Sequence, residues 1–480
     1  MGARTGAQYL AGLRDGREVW LEGERVDDVT EHPRLQGAAL TLASLFDLQH
    51  EAIDDCLVQD SASGELVNAS HLIPRSKADL DRRHRVLERF AEQTVGLMGR
   101  TPDYLNVTFA GFAGMSEAWA AAGNEKGAER LIAFQRDLAL RDLALTHTII
   151  HPTIDKALGN APAPGNDVAL QKVDETNHGI IVRGSRILAT LAPFSDEIAV
   201  YPGHPLPEGA DAYALSFSIP METPGLKTLC RDSFTITGDP EAHPLSSRFD
   251  EQDAFMIFDD VEVPWERVFI NGSVPAYNSA LRDGWFANIG QQTMIRAQTK
   301  LEFAYGLATR MAAVVNDKSP ATQEMLGEIW TYAELARAAV KAAEDEAHEY
   351  PGGVVFPSEG PMQALRAILP QWFPRVNEII RLIGSHNLLA TPTMGELLDP
   401  ELGPLVERYL RGAGDVTARQ RIAVFRLAWD FAASGLGSRI EQYERFYLAG
   451  RATCLRGAHG IAPKERAERL VSRFLVEAEG

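Results

Sequence analysis

Residues 99–108 of the chain read Gly-Arg-Thr-Pro-Asp-Tyr-Leu-Asn-Val-Thr and separate two apolar segments. Apolar residues recur with helical spacing over 82–98, and a second segment rich in Gly, Ala and Phe follows the break. Pro102 would end the first helix, and Asp103 would cap the second. Arg100 and Tyr104 fit two interpretations. Either they are a helix-end cation and an ordinary half-buried aromatic, or they belong to a site. Spacing alone leaves both open.

Composition indicates a soluble globular protein with a full core. The chain has 480 residues, of which 45% are apolar and 24% charged, enough for two or three domains or one large subunit. A net charge of −19 argues against nucleic acid as a partner. The three cysteines, Cys56, Cys230 and Cys454, are far apart, and none of them belongs to a CxxC motif. This pattern favours a reducing, cytoplasmic compartment. No 18-residue apolar run is present, so no membrane-spanning helix is expected.

The pattern along the chain predicts helices, then strands, then helices again. We therefore expect an N-terminal helical domain at 1–150, a central antiparallel β-domain at 151–275 and a C-terminal helical bundle at 276–480, an α+β fold that is mainly α. The turn at 176–179 is predicted to join two strands as a hairpin. The strand-like runs are 169–176, 180–188, 197–201, 212–219, 227–229 and 254–258.

The predicted helices flank that central region. Before it, helical patterns cover about 7–13, 35–50 and 77–148, the last interrupted at 100–103 and near residue 123. After it, long helices are predicted at about 283–316, 321–348, 361–383, 417–434 and 439–446.

Several common catalytic motifs are missing from the sequence. His147 and His151 have a metal-binding spacing, but no glutamate follows the first histidine, Pro152 places the second at a helix end, and no third ligand lies nearby, so no metal is expected. The sequence also lacks a GxGxxG opening a helix, a P-loop and a GxSxG elbow. Rossmann-type hydride transfer, nucleotide hydrolysis and α/β-hydrolase chemistry are therefore unsupported.

Two segments keep alternative interpretations. Residues 190–197, a loop of hydroxyls and backbone amides between strands, can bond the polar edge of a ring cofactor or form a self-satisfied turn. Residues 441–447 are rich in aromatic and charged side chains, which fits an oligomer interface or an amphipathic core helix.

Taken together, segments along nearly the whole chain resemble the oxygenase component of the 4-hydroxyphenylacetate 3-monooxygenase family, two-component aromatic hydroxylases that depend on reduced flavin. The segments that carry the resemblance are QYL (8–10), LRDGREVW (13–20), GERV (23–26), DVT (28–30), RTPDY (100–104), THTII (146–150), GSRILATLAP (184–193), RFDE (248–251), IFDDV (257–261), VPWERV (263–268), LAWD (427–430) and YERFY (443–447).

The resemblance implies an acyl-CoA-dehydrogenase-like fold with a C-terminal four-helix bundle, usually assembled as a homotetramer. It also implies an enzyme that takes reduced FAD from a separate flavin reductase, reacts it with dioxygen and hydroxylates a phenol at the ortho position to give a catechol. The phenolic substrate would be a small molecule or a group tethered to a carrier.

The family's site residues map onto this sequence by resemblance. Arg100, Tyr104 and His147 are expected to line the phenol site. A free phenol titrates near pH 10, so a neighbouring cation that favours the phenolate and a histidine that accepts its proton suit this chemistry. Pro202 and Gly203, in the Pro/Gly-rich segment 201–212, match a loop that folds over the substrate. The residues implied to contact FAD are His147, Thr148, Ile149, Thr153, Ile154, Asp155, Lys156 and Thr190.

Two related activities are disfavoured. Some relatives that oxidise chlorophenols or nitrophenols with loss of the substituent have a histidine early in the first bundle helix, whereas residues 289–294 here contain none. A 4-hydroxybutyryl-CoA dehydratase carries FAD and an iron–sulfur cluster, which needs clustered cysteine ligands. The three cysteines lie far from 100–104 and from Gln291 along the chain. Simple ortho-hydroxylation is the expected reaction.

Overall fold

A computed structural model describes residues 2–155, 162, 166–281 and 284–475 of the chain. Within these residues, the α-helices are α1 (Gly6–Gly12), α2 (Gln36–Glu51), α3 (Ile53–Cys56), α4 (Lys77–Gln93), α5 (Pro102–Gly114), α6 (Ser116–Trp119), α7 (Glu125–Arg141), α8 (Val274–Ser279), α9 (Trp285–Val314), α10 (Pro320–Asp345), α11 (Glu359–Ala390), α12 (Met394–Leu398), α13 (Gly403–Leu410), α14 (Ala418–Ala432), α15 (Gly435–Phe446), α16 (Arg451–Ile461) and α17 (Lys464–Ser472).

The strands occupy mainly the middle of the chain. They are β1 (Glu18–Leu21), β2 (Glu24–Val26), β3 (Leu57–Gln59), β4 (Leu66–Asn68), β5 (Leu145–Thr148), β6 (Gln171–Glu175), β7 (Gly179–Thr190), β8 (Glu197–Val200), β9 (Leu215–Pro220), β10 (Leu226–Cys230), β11 (Asp253–Pro264), β12 (Val268–Asn271), β13 (His348–Tyr350) and β14 (Val354–Phe356).

Two sheets form the β-region. One has the order β2-β1-β10-β11-β7-β6 and the other β12-β9-β8-β5. Side chains of both pack into one core, in which Phe217 of the smaller sheet meets Phe258 of the larger at 6.0 Å between ring centroids. The predicted hairpin between β6 and β7 is confirmed. Most neighbouring strands are antiparallel, as predicted, but β1 with β10 and β5 with β8 are parallel, because β1 and β5 come from earlier parts of the chain and need no tight turn to reach their partners.

The C-terminal helices pack around α9, α10 and α11, with α14 and α15 against α11. Small and branched apolar side chains fill the space between them, among them Leu301, Ala304, Ile329, Ala336, Val376 and Ile380. No helix among the described residues combines the length and apolar character that a membrane crossing requires.

The structure corrects three predicted elements. The helix predicted over 82–98 ends at Gln93, because Gly96 adopts a φ of +68° and lies so close to α9 that a Cβ there would be 2.5 Å from the Arg296 carbonyl oxygen. The helical pattern predicted to residue 148 ends at Arg141, where the left-handed Asp142 closes α7 and leads to β5. Finally, β1 and β2 join the larger sheet, although the sequence pattern predicts no strand before residue 169. The domain limits at 150 and 275 stay predictions.

Candidate active site

The start of α5 presents Arg100 from a fixed backbone. Thr101 precedes the helix and Pro102 takes its first position, where a missing N–H costs nothing. Every residue of α5 is buried. The Arg100 backbone N–H donates to Glu251 Oε1 at 2.8 Å, and Arg439 donates to the other carboxylate oxygen at 2.8 Å. A buried ion pair thus sets the position from which the Arg100 side chain extends.

The Arg100 guanidinium rests on tyrosine rings and not on a carboxylate. Its Cζ atom is 3.9 Å from the ring centroid of Tyr104, 5.4 Å from that of Tyr447 and 5.6 Å from that of Tyr443. The side chain donates one hydrogen bond, to the Gly99 carbonyl at 3.3 Å, and no acid in the described chain forms an ion pair with it. Burial works to lower its pKa, but the tyrosine oxygens outweigh that effect and raise the pKa of Arg100 above its usual value. The cation is retained without a counter-charge.

His147 projects from β5 beside this cation. Its ring stacks against Tyr104 at 5.6 Å and against Tyr201 at 5.3 Å between centroids. Burial, and then the positive charge of Arg100, lower the pKa of His147 well below the usual value. The imidazole is therefore neutral near neutral pH and can accept a proton, and it makes no hydrogen bond to any residue that the structure describes.

A cavity of about 480 Å³ opens in front of these side chains. Tyr443 and Tyr447 contribute buried hydroxyls that have no hydrogen-bond partner. Burial raises the pKa of both phenols, so they remain hydrogen-bond donors. The residues lining the cavity are Arg100, His147, Ile149, Ile150, Leu188, Thr190, Arg231, Phe234, Asp253, Arg439, Gln442, Tyr443, Phe446 and Tyr447.

The opposite wall of the cavity carries charged side chains that form ion pairs with one another. Asp253 accepts hydrogen bonds from Thr190 Oγ1 at 2.9 Å and from Arg439 at 2.6 Å, and pairs with Arg231 at 3.3 Å. Burial alone would raise the pKa of Asp253, but Arg439 and then Arg231 outweigh it and the pKa is lowered. These two arginines are therefore paired, unlike Arg100.

The structure places the predicted flavin contacts in two groups. His147, Ile149 and Thr190 line the cavity, whereas Thr148 is buried behind the wall and donates to the Ile187 carbonyl at 3.1 Å. The other described members of the set, Thr153, Ile154 and Asp155, are exposed and do not line the cavity. Lys156 lies outside the described residues.

The predicted substrate contacts in the 201–212 segment border a different cavity. Pro202 and Gly203 line a second space of about 600 Å³ together with Tyr277. Gly203 packs so tightly on Ile149 that a Cβ would be 2.7 Å from the Ile149 carbonyl oxygen. Because Ile149 also lines the first cavity, the two cavities share one wall.

Sequence reasoning missed many of the residues that form the cavity wall opposite Arg100. Tyr443 and Tyr447 lie in the 441–447 segment, whose aromatic density was the available signal, although it was read as an interface or an ordinary core helix. The residues missed altogether are Arg231, Phe234, Asp253 and Arg439. Both interpretations of the loop at 190–197 hold in part. Thr190 lines the cavity, as a cofactor-binding loop would require, and the Ser195 hydroxyl donates to the Leu191 carbonyl, as in a self-satisfied turn.

The two histidines at 147 and 151 are not arranged as ligands. His147 lies on a strand and His151 follows it, so the helical spacing assumed for them is wrong. The residues described contain no group of three His, Cys, Asp or Glu side chains that could hold a metal ion.

Comparisons with known proteins relate nearly the whole chain to one family. The models of the 4-hydroxyphenylacetate 3-hydroxylase N-terminal and C-terminal regions match residues 5–270 and 280–476. The chain is 37% identical to the 4-hydroxyphenylacetate 3-monooxygenase oxygenase component of Thermus thermophilus, covering 99% of this chain and 98% of that protein. It is 32% identical to a Streptomyces globisporus monooxygenase of (3S)-3-amino-3-(3-chloro-4-hydroxyphenyl)propanoyl-[peptidyl-carrier protein], over 92% of this chain and 84% of that one.

Among solved structures, the fold matches a 4-hydroxyphenylacetate 3-monooxygenase oxygenase component complexed with FAD and 4-hydroxyphenylacetate. The TM-score is 0.93 at 37% identity, and the match covers 98% of each chain. The expectation of a mainly α, acyl-CoA-dehydrogenase-like fold is confirmed.

Proposed function

The chain belongs to the 4-hydroxyphenylacetate 3-hydroxylase family, and we propose that it is the oxygenase component of a two-component monooxygenase that converts a phenol to a catechol with reduced FAD and dioxygen. The observation that carries the proposal is the uncompensated Arg100 cation beside the neutral His147 at a cavity.

The cavity fits a flavin ring and a phenol. Its volume lies within the range of about 300–1,000 Å³ that is usual for small-molecule sites. Apolar side chains such as Ile149 and Leu188 can contact ring faces, and Thr190 and the unpartnered hydroxyls of Tyr443 and Tyr447 can bond polar edges. Reduced FAD, when bound, supplies the activation of dioxygen, while the protein orients the rings and excludes water.

Arg100 acts on the ionisation of the substrate. Two opposite charges about 4 Å apart attract by about 4 kcal/mol at an effective dielectric constant of about 20, equivalent to about three pKa units. A phenol that titrates near pH 10 in water would then ionise near pH 7 in the site. The ring becomes electron-rich, which favours oxygen transfer ortho to the phenolic oxygen.

His147 complements this effect by receiving the phenolic proton. Because its pKa is lowered by burial and by Arg100, the imidazole enters the reaction unprotonated. The rings of Tyr104 and Tyr201 fix its plane. Arg100 and His147 thus divide the task, one stabilising the anion and the other accepting its proton.

We further propose that a separate flavin reductase supplies the FAD, that the assembly is a homotetramer and that the substrate is a phenolic small molecule or a carrier-tethered phenol. The two relatives named above act on a free phenolic acid and on a carrier-bound phenol. To test this, the protein is incubated with a generic flavin reductase and a panel of phenols, some free and some loaded on a carrier. The products are then identified by chromatography. Catechol formation supports the proposal. Oxidation of FAD that yields only hydrogen peroxide with every phenol would refute it.

A further inference from the structure

Arg186 is a fully buried cation without a counter-charge. It lies on β7 with none of its surface exposed, and its Nη1 donates to the Ile149 carbonyl at 3.1 Å. Its Nε and Nη2 atoms are buried and have no hydrogen-bond partner. No acid of the described chain forms an ion pair with it. Burial lowers the pKa of Arg186, with the Tyr277 hydroxyl acting in the opposite direction. An isolated buried charge of this kind is costly, so its retention calls for a ligand.

A second unsatisfied group lies beside it. Both ring nitrogens of His151 are buried and unpartnered. Burial first, then the charge of Arg186 and then His204, lower the pKa of His151. The cluster therefore combines a guanidinium, two imidazoles and the Tyr277 hydroxyl. These groups donate hydrogen bonds, and an incoming anion would supply the missing acceptors.

The position of Arg186 relates it to the proposed flavin site. Its acceptor, the Ile149 carbonyl, belongs to a residue that lines the catalytic cavity. Its other neighbour, Tyr277, lines the second cavity, as does Gly203, which packs against Ile149. Arg186 therefore lies behind the cavity walls, bonded to a residue that lines the first cavity and next to a residue that lines the second.

Other cations near the cavity are committed elsewhere. Arg231 and Arg439 are paired with Asp253, and Arg100 faces the phenol site. Of the arginines named at the site, only Arg186 combines complete burial with two unpartnered nitrogen atoms.

We infer that Arg186, assisted by His151, binds the diphosphate of FAD. This inference rests on the proposed function, because it takes the flavin ring to occupy the catalytic cavity. The diphosphate is the anionic part of FAD and follows the ring along the ribityl chain. Its paired oxygens match the two free nitrogen atoms of the guanidinium.

The test compares Arg186→Gln with Arg183→Gln, an exposed arginine of the same strand that pairs with Asp260 at 2.6 Å. Reduced riboflavin, FMN and FAD are equilibrated anaerobically with each full-length protein, and free flavin is measured by ultrafiltration. We expect Arg186→Gln to weaken FAD binding by about tenfold or more and riboflavin binding by less than about twofold. Arg183→Gln should match the wild type.

Two results would overturn the inference. They are unchanged FAD affinity in Arg186→Gln, or an equal loss for riboflavin, which has no phosphate. Loss of both flavins would mark Arg186 as structural. A wild-type protein that binds no flavin would refute the proposed function together with this inference. If the wild type binds FAD, the comparison between the variants tests the role of Arg186 alone.

A thermal measurement guards against a folding defect. We expect the ligand-free Arg186→Met protein to melt no lower than the wild type, because the substitution removes an unpaired buried charge. Inorganic pyrophosphate should raise the Tm of the wild type and displace FAD but not riboflavin, with no effect on the Tm of Arg186→Met. A lower Tm in the ligand-free variant, or equal protection of both proteins by pyrophosphate, would contradict the assignment.

Discussion

The guanidinium carbon of Arg100 lies 3.9 Å from the centre of the Tyr104 ring, four residues later at the start of α5. The Tyr104 ring also stacks on the His147 imidazole at 5.6 Å. One aromatic ring therefore supports both the cation and the base of the proposed site. The ring, more than its hydroxyl, is what the arrangement requires.

Tyr104→Phe should keep most of the activity and Tyr104→Ala should lose it. The phenyl ring preserves the cation–π contact, whose loss costs about 1–2 kcal/mol for a desolvated pair, or about tenfold in substrate affinity. The measurement is the yield of catechol per reduced FAD consumed, together with KM for the phenol. If Tyr104→Phe were as inactive as Tyr104→Ala, the hydroxyl would have a chemical role.

His147→Ala should lower the catechol yield by about a hundredfold or more and divert oxygen to hydrogen peroxide, because the proton acceptor is gone. Imidazole added to the assay should restore part of the yield, since the missing group was a neutral base. Arg100→Ala provides the matched control and should gain nothing from imidazole. An unchanged yield in His147→Ala, or equal rescue of both variants, would be inconsistent with this role.

Glu251 should act as a positioning residue for Arg100. Its two carboxylate oxygens hold the Arg100 backbone N–H and the Arg439 guanidinium, both at 2.8 Å. We expect Glu251→Gln to raise KM for the phenol more than it lowers kcat, with a stability loss of about 3 kcal/mol from the broken buried pair. Glu241→Gln, at an exposed pair with Arg419, should leave both unchanged. A Glu251→Gln protein with wild-type KM would show that Arg100 does not depend on this contact.

His71 should make the protein sensitive to acid. Both of its ring nitrogens are buried and make no hydrogen bond, Asp142 Oδ1 lies 4.0 Å from its Nε2, and burial lowers its pKa to about 3. The unfolded chain, with a histidine pKa near 6.5, therefore binds the proton first as pH falls, and stability is lost from about pH 6.5 down to about pH 3 at about 1.4 kcal/mol per pH unit.

The predicted loss of stability at acid pH is measured as the difference in Tm between about pH 7 and about pH 5. We expect the difference to shrink in His71→Leu and to stay at the wild-type value in His178→Gln, a substitution of an exposed histidine in the β6–β7 turn. A Tm difference equal to that of the wild type in His71→Leu would exclude His71 as a source of the acid sensitivity.

The sequence pattern predicted the order of helices and strands, and the family resemblance implied the joint placement of Arg100, Tyr104 and His147. Local spacing was sufficient for long periodic segments such as α9 and for the hairpin between β6 and β7. It failed at 145–148, where the strand is defined by pairing with β8, over 50 residues later. Such a partner leaves no periodic signal within a four-residue segment.

The far wall of the cavity was less predictable for a similar reason. Tyr443 of α15 and Tyr447, the residue that follows this helix, contact Arg100 across a sequence separation of more than 300 residues. Asp253 and Arg439 form an ion pair at 2.6 Å, although the two residues are far apart along the chain. Aromatic density at 441–447 could indicate burial, but not which cavity the side chains would enclose.

The central claim is that Arg100 stabilises the phenolate of the bound substrate, and the ionisation of a bound chromophoric phenol tests it most directly. A nitrophenol is titrated by absorbance in the presence of saturating wild-type protein or saturating Arg100→Gln protein. The account predicts that the wild type lowers the pKa of the bound phenol by about one to three units and that Arg100→Gln does not. Equal pKa values for the phenol bound to the two proteins would contradict it.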